Sequence, residues 1–163
     1  MVKKLLFFVI LSLFALEGIA QKELPSVKVE NLKGEMMNVR QVLQDSVPVV
    51  LCFWSTTCKP CIMELDAFAE VYEEMQEELG FKVVAVSTDD ERSASKVRGL
   101  VSGRGWPFEI IMDKNQDLKR AMNVVMQPQL FILDKHGKIV YSHTGYVPQS
   151  EEAVFQKLRE IQE

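Results

Sequence analysis

The chain has 163 residues, 47% hydrophobic and 26% charged, with a formal net charge of −4. That length holds one domain with a sizeable core, and the composition excludes a disordered chain. No basic run follows Lys3-Lys4, so nucleic acid is not an expected partner.

Residues 1–20 read as a leader rather than as part of the fold. Lys3 and Lys4 give a short positive start, Leu5 to Leu16 is apolar except for Ser12, and Gly18 and Ala20 supply small residues. This is the pattern of a secretory signal, cleaved after Ala20. The apolar stretch falls short of the roughly 20 residues that span a bilayer, although an uncleaved signal anchor is the rival reading. Removing residues 1–20 takes away two Lys and one Glu, leaving 17 basic and 22 acidic residues in a single domain over 21–163. The expected location is periplasmic or otherwise extracytoplasmic, or tethered to the membrane if the signal is retained.

The elements follow in order. Residues 21–26 form an entry segment, and Val27 to Leu32 alternates apolar and polar as an exposed-edge strand does. Lys33-Gly34-Glu35 is a turn, and Val39 to Leu43 a helical turn. Val47 to Trp54 is a nearly continuous apolar run, as expected of a strand buried on both faces of a parallel sheet. A helix over about Lys59 to Leu79 repeats apolar residues at three- and four-residue steps, with Glu70, Glu73, Glu74, Glu77 and Glu78 on its solvated side; Gly80 ends it. Phe81 to Ser87 is a second buried strand, Asp90 to Gly103 a helix, Phe108 to Met112 a short strand and Gln116 to Met122 a short helix. Leu130 to Leu133 and Ile139 to Ser142 form a hairpin across Asp134-Lys135-His136-Gly137-Lys138, and Gln149 to Ile161 closes the chain as an amphipathic helix. Crossover helices imply parallel strands, the hairpin adds an antiparallel pair, and helices must cover both faces of the sheet.

Three cysteines, Cys52, Cys58 and Cys61, lie within ten residues. Such a cluster does not form a stapling framework, but the Cys58–Cys61 spacing suits redox or metal chemistry. The pair sits where a buried strand turns into a helix, and a helix N-terminus favours negative charge, which lowers the pKa of a thiol placed there. Cys58 is then the exposed nucleophile. Cys61, one turn further in, is placed to attack the mixed disulfide. Pro60 is tolerated this early in a helix, and Lys59 adds a positive charge. A structural disulfide, half of a zinc site and two inert buried thiols are the competing readings. The zinc reading needs further Cys or His ligands, and His136 and His143 fall near the distant hairpin.

The features Cys58-Lys59-Pro60-Cys61 with Glu64, Val84-Ala85-Val86-Ser87, Gln127-Pro128, and Phe131-Ile132-Leu133-Asp134 through Gly137-Lys138-Ile139-Val140 to Gly145 resemble the TlpA/ResA-like branch of the thioredoxin superfamily, over residues 25 to 162. The resemblance implies an α/β thioredoxin fold, with a central mixed β-sheet, helices on both faces and an N-terminal β extension. It also implies that Pro128 is a cis-proline facing the cysteine pair and that the backbone around Gln127 hydrogen-bonds an extended substrate. Thr57, Lys59 and Pro60 would border that substrate, and Glu64 would modulate the protonation of the thiols; helical periodicity alone makes Glu64 a surface residue.

Four positions depart from the pattern. Thr57 stands where Trp is usual, Gln129 where Thr is common after the proline, and Asp66 where a proline is often seen. Cys52 takes the place of a buried Asp in thioredoxin and reads as a small core residue. Trp54 reads as packing under the site, and Trp106 carries no expected chemistry.

The resemblance implies a thiol-disulfide oxidoreductase that reduces exported proteins, such as apocytochromes, and is recharged by a membrane thiol reductant. No cofactor beyond the Cys58–Cys61 pair and no metal is expected, and the chain is expected to be a monomer. Two alternatives stand beside this reading. One is a peroxiredoxin-type thiol peroxidase, favoured by Ser55 three residues before Cys58 and opposed by Leu51 where a proline is needed. The other is a redox-inactive binding module.

Overall fold

The computed structural model describes residues 22–162; the expected leader lies outside the described residues. The elements are β1 (Lys28–Asn31), β2 (Met36–Asn38), β3 (Val49–Trp54), α1 (Lys59–Leu79), β4 (Lys82–Ser87), α2 (Ala94–Arg104), β5 (Glu109–Met112), α3 (Asp117–Ala121), β6 (Gln129–Leu133), β7 (Ile139–Thr144) and α4 (Glu151–Glu160), with 3-10 turns at Val39–Leu43 and Glu91–Ser93.

The sheet order is β2-β1-β5-β4-β3-β6-β7. Strands β3, β4 and β5 run parallel, as their helical crossovers require. Strand β6 joins β3 antiparallel and β7 joins β6 antiparallel, while β1 is antiparallel to both β5 and β2. The fold class expected from the sequence, a mixed sheet with an N-terminal β extension, is therefore the one observed.

All six residues of β3 are fully buried, and alternate side chains enter opposite cores. Val50, Cys52 and Trp54 join Leu65 and Phe68 of α1, Val97 of α2 and Phe155 of α4. Val49, Leu51 and Phe53 join Val39 and Val42 of the 3-10 turn and Leu118 of α3. Both faces of the sheet are thus covered. Edge-to-face ring pairs thread the first core: Trp54 with Trp106, Tyr72 with Phe108, and Phe68 with Phe155. The Phe68–Phe155 pair locks α4 against α1.

Helix α1 begins at its cap, Cys58, and ends where Gly80 takes φ 57° and returns its N–H to the Gln76 carbonyl. Leu65, Phe68, Tyr72 and Leu79 fill its inner face, and the expected acidic stripe is exposed.

Two expectations need correcting. Segment 27–32 is not an edge: β1 is paired on both sides, and the edge is β2, a strand the sequence pattern did not reveal. The polar residues of β1 conceal its interior place because Glu30 is neutralised by cations far along the chain. Lys114 Nζ donates to Glu30 at 2.7 Å, and Arg98 donates to the Leu32 carbonyl at 3.0 Å. The helix expected over 90–103 is split. Asp90 accepts from Ser93 N at 3.1 Å and caps a 3-10 turn, and α2 proper runs one residue further before Gly105 ends it.

Gly137 closes the β6–β7 hairpin at φ +88°, and a Cβ there would come within 2.6 Å of Leu43 Cδ1. Gly137→Ala is therefore expected to lower stability by about 1–3 kcal/mol, read as a reduced urea midpoint with an unchanged slope.

Candidate active site

Three backbone segments meet at one end of the sheet. Trp54 at the end of β3 lies opposite Ser87 at the end of β4, and Phe53 lies opposite Gln129 at the start of β6. The chain that leaves β3 carries Cys58, the chain that leaves β4 carries Thr88 and Asp89, and the chain that enters β6 carries Gln127 and Pro128. Ligands of α/β sheets gather at the carboxyl ends of the parallel strands, and the cysteine pair sits there.

Cys58 and Cys61 are joined in a disulfide. Cys58 is the half-buried cap of α1, with its sulfur 3.3 Å from Cys61 N, whereas Cys61 is fully buried. Of the two sulfurs only that of Cys58 can be reached from outside. Thr57, Lys59 and Pro60 around it are exposed. The Gln127–Pro128 peptide is cis and Pro128 is buried. No backbone hydrogen bond of Gln127 is made among the described residues, so its amide and carbonyl face no internal partner. The preceding Val125 and Met126 are exposed, as are Met63 on α1 and Val147 before α4.

Glu64 is 3% exposed, which overturns the surface position its periodicity suggests. It lies one turn after Cys61 on the same inner face of α1. Burial, with Glu151 of α4 contributing a like charge, pushes its pKa up to about 8. Glu151 Oε2 is itself buried without a hydrogen-bond partner among the described residues. Burial, and then the charge of Glu64, hold the Cys52 thiol well above the ordinary range. Cys52 is a core residue, as expected.

Other site positions divide. Gln129, the departure that follows the cis-proline, spends its amide on β7: it donates to the His143 carbonyl at 2.9 Å and accepts from Thr144 Oγ1 at 2.5 Å. Asp66 accepts from Arg104 at 2.5 Å and from Trp106 Nε1 at 2.9 Å. It thereby ties α1 to the loop before β5 and presents Trp106 to Trp54.

Sequence reasoning did not single out Thr88 and Asp89. Asp89 accepts from Thr56 N at 2.8 Å and from Thr56 Oγ1 at 2.6 Å. Thr88 donates its N–H to the Trp54 carbonyl at 2.9 Å, and its Oγ1 accepts from Gln127 Nε2 at 3.1 Å. The available signal was topological: two polar residues directly after a buried parallel strand that neighbours the cysteine strand.

A family model described as the AhpC/TSA family matches residues 20–142. A thiol-disulfide oxidoreductase ResA of Bacillus thuringiensis (strain Al Hakam) is 32% identical over 76% of this chain and 69% of its own. A thioredoxin-like protein YneN of Bacillus subtilis is 33% identical over 80% of this chain and 74% of its own. The solution structure of an uncharacterized thioredoxin-like protein from Porphyromonas gingivalis superposes with a TM-score of 0.76 at 43% identity, covering 85% of this chain and 90% of that one. With this fold and this cysteine pair, the molecule is a thiol-disulfide oxidoreductase of the thioredoxin class. The chain belongs to the AhpC/TSA family and, within it, is similar to the ResA proteins.

A carboxyl kept protonated by the fold but free to ionise in the unfolded chain stabilises the fold fully only below its ordinary pKa. Its contribution is lost as pH rises through the folded value. For Glu64 that window runs from 4.5 to about 8. The titratable groups that interact with Glu64 include Cys52 from β3, Glu151 from α4 and Tyr146 between β7 and α4. Wild type is therefore expected to lose stability relative to Glu64→Gln as pH rises across that window, read from urea midpoints. A constant gap between the two proteins would show that Glu64 does not titrate there.

Proposed function

We propose that this protein is an exported reductase of protein disulfides. The observation that carries the reading is the pairing of one reachable sulfur, on Cys58, with a fully buried one, on Cys61, beside a cis-proline loop whose Gln127 backbone has no internal partner. An extended chain carrying a disulfide has somewhere to lie, and its sulfur has one target.

In the reducing direction the Cys58 thiolate attacks a substrate sulfur. A Cys58–substrate disulfide forms and one substrate thiolate leaves. Cys61, as thiolate, then attacks the Cys58 sulfur. The second substrate thiol leaves and the Cys58–Cys61 disulfide closes. Two electrons pass from the dithiol to the substrate, and the two thiol protons end on the substrate sulfurs. A dithiol reductant, held in the membrane on this reading, returns the pair to its reduced form by the reverse exchange.

Glu64 is the group we assign to move the proton of Cys61. It lies one helical turn from Cys61, and burial pushes its pKa up to about 8, so its carboxyl can exchange a proton near neutral pH. Gln127, Pro128, Thr57, Lys59 and Pro60 form the contact surface, and the exposed Val125 and Met126 extend it with apolar area. Exported proteins such as apocytochromes are the proposed substrates. Residues 1–20 are the proposed export signal, and the proposed location is extracytoplasmic.

A peroxidase reading draws on Ser55 before Cys58. It is opposed by Leu51, whose place would need a proline, and by a second cysteine that disulfide exchange already employs. Peroxide consumption by the purified protein separates the two.

Equilibrating residues 21–163 in graded thiol buffers is expected to give a Cys58–Cys61 potential near that of thioredoxin, about −270 mV. A value near about −120 mV would overturn the reducing direction. Cys61→Ser is expected to accumulate a covalent Cys58–substrate adduct on non-reducing gels, and Cys58→Ser to abolish insulin reduction. Retained insulin reduction in Cys58→Ser would sink the mechanism.

A further inference from the structure

The segment after β4 touches both walls of the site. Asp89 receives two hydrogen bonds from Thr56, through the backbone N and Oγ1, and a third from Ser87 Oγ at 2.9 Å. This holds the Ser55–Thr57 turn that delivers Cys58. Thr88, 5% exposed, fixes the Trp54 carbonyl through its N–H and lies within 3.2 Å of the same oxygen through Oγ1. That Oγ1 also accepts from the Gln127 side chain, and Gln116 Nε2 donates to the Thr88 carbonyl at 3.1 Å to hold the segment from behind. One dipeptide thus joins the cysteine loop to the cis-proline loop.

We propose that Thr88 and Asp89 are positioning residues that set the spacing between Cys58 and the Gln127–Pro128 backbone, and so select extended polypeptide disulfides over small ones. The inference rests on the reductase reading above. A small disulfide needs only the Cys58 sulfur. A polypeptide must meet that sulfur and the Gln127 backbone at once, so its reaction depends on how firmly the two are held relative to each other. Losing the Thr88 hydroxyl leaves Cys58 in place but frees Gln127. Weakening the Asp89 cradle frees the turn before Cys58.

The test uses reduced full-length mature protein and compares kcat/KM for insulin with kcat/KM for cystamine. Thr88→Val keeps the shape and removes only the hydroxyl. It is expected to lower the insulin value by about tenfold, the worth of about one buried hydrogen bond, while the cystamine value stays within about twofold. Thr88→Ser restores the hydroxyl and is expected to restore the insulin value. Asp89→Asn, which sets an amide against the Thr56 donors, is expected to show the same selective loss. Equal losses on both substrates, or none on either, would overturn the proposal. A Thr88→Val protein that does not fold leaves the decision to Asp89→Asn, read by the same ratio. A wild type that reduces neither substrate sinks the reductase reading. A wild type that reduces both, with the ratio unchanged in the variants, sinks this inference alone.

Discussion

Val49–Trp54 lie entirely out of reach of water, so the backbone groups of β3 must find partners inside the protein. Strand β4 supplies them on one side and β6 on the other, in a register that brings Trp54 level with Ser87 and Phe53 level with Gln129. Once β3 is dry, the ends of three strands are held at one rim of the sheet. The turns that leave them are then neighbours whatever their sequences. The cysteine loop, the Thr88-Asp89 corner and the cis-proline loop come together because one buried strand needs two partners.

Much of this was legible in the sequence. The apolar run ending at Trp54, the three- and four-residue steps of α1, and the hairpin around Gly137 each follow from the period of burial, which is a local property. Cys58 and Cys61 were legible because their spacing and their place at a strand-to-helix turn carry the chemistry themselves. What stayed hidden depends on partners distant in the chain. Glu30 reads as part of an exposed edge because nothing nearby in the chain shows that Lys114 and Arg98 will pair with it. Glu64 reads as solvated because helical period does not reveal that α4 closes over that face. Thr88 and Asp89 carry no local signal, since their partners Gln127 and Thr56 lie more than thirty residues away on either side.

Beneath the disulfide the core is not uniformly apolar. Glu64 from α1 lies close enough to Glu151 from α4 and to the Cys52 thiol from β3 for their charges to interact. Placing a second carboxyl near a buried one works against charge on the first, so the pocket retains a proton near neutral pH. Thioredoxin places its buried acid on the strand. Here the strand offers a thiol and the acid comes from the helix that carries the cysteines, so acid and resolving sulfur ride on the same rigid element. Asp66, two residues further along α1, faces the other way and fastens the Trp106 loop. A single helix therefore orients the sulfur pair, its acid neighbour and the aromatic floor.

The burial of Cys52 also makes the molecule a convenient reporter on itself. With Cys58 and Cys61 oxidised, the folded chain presents no thiol to an aqueous alkylating reagent, since the remaining sulfur has no exposed surface. Modification of Cys52 then requires β3 to open. A timed pulse of reagent on the oxidised protein counts excursions of the central strand, and the same pulse after reduction labels Cys58 and so reports the fraction of the pair that is reduced. Breathing of the core and the redox state of the site can be followed in one native chain without introducing a probe.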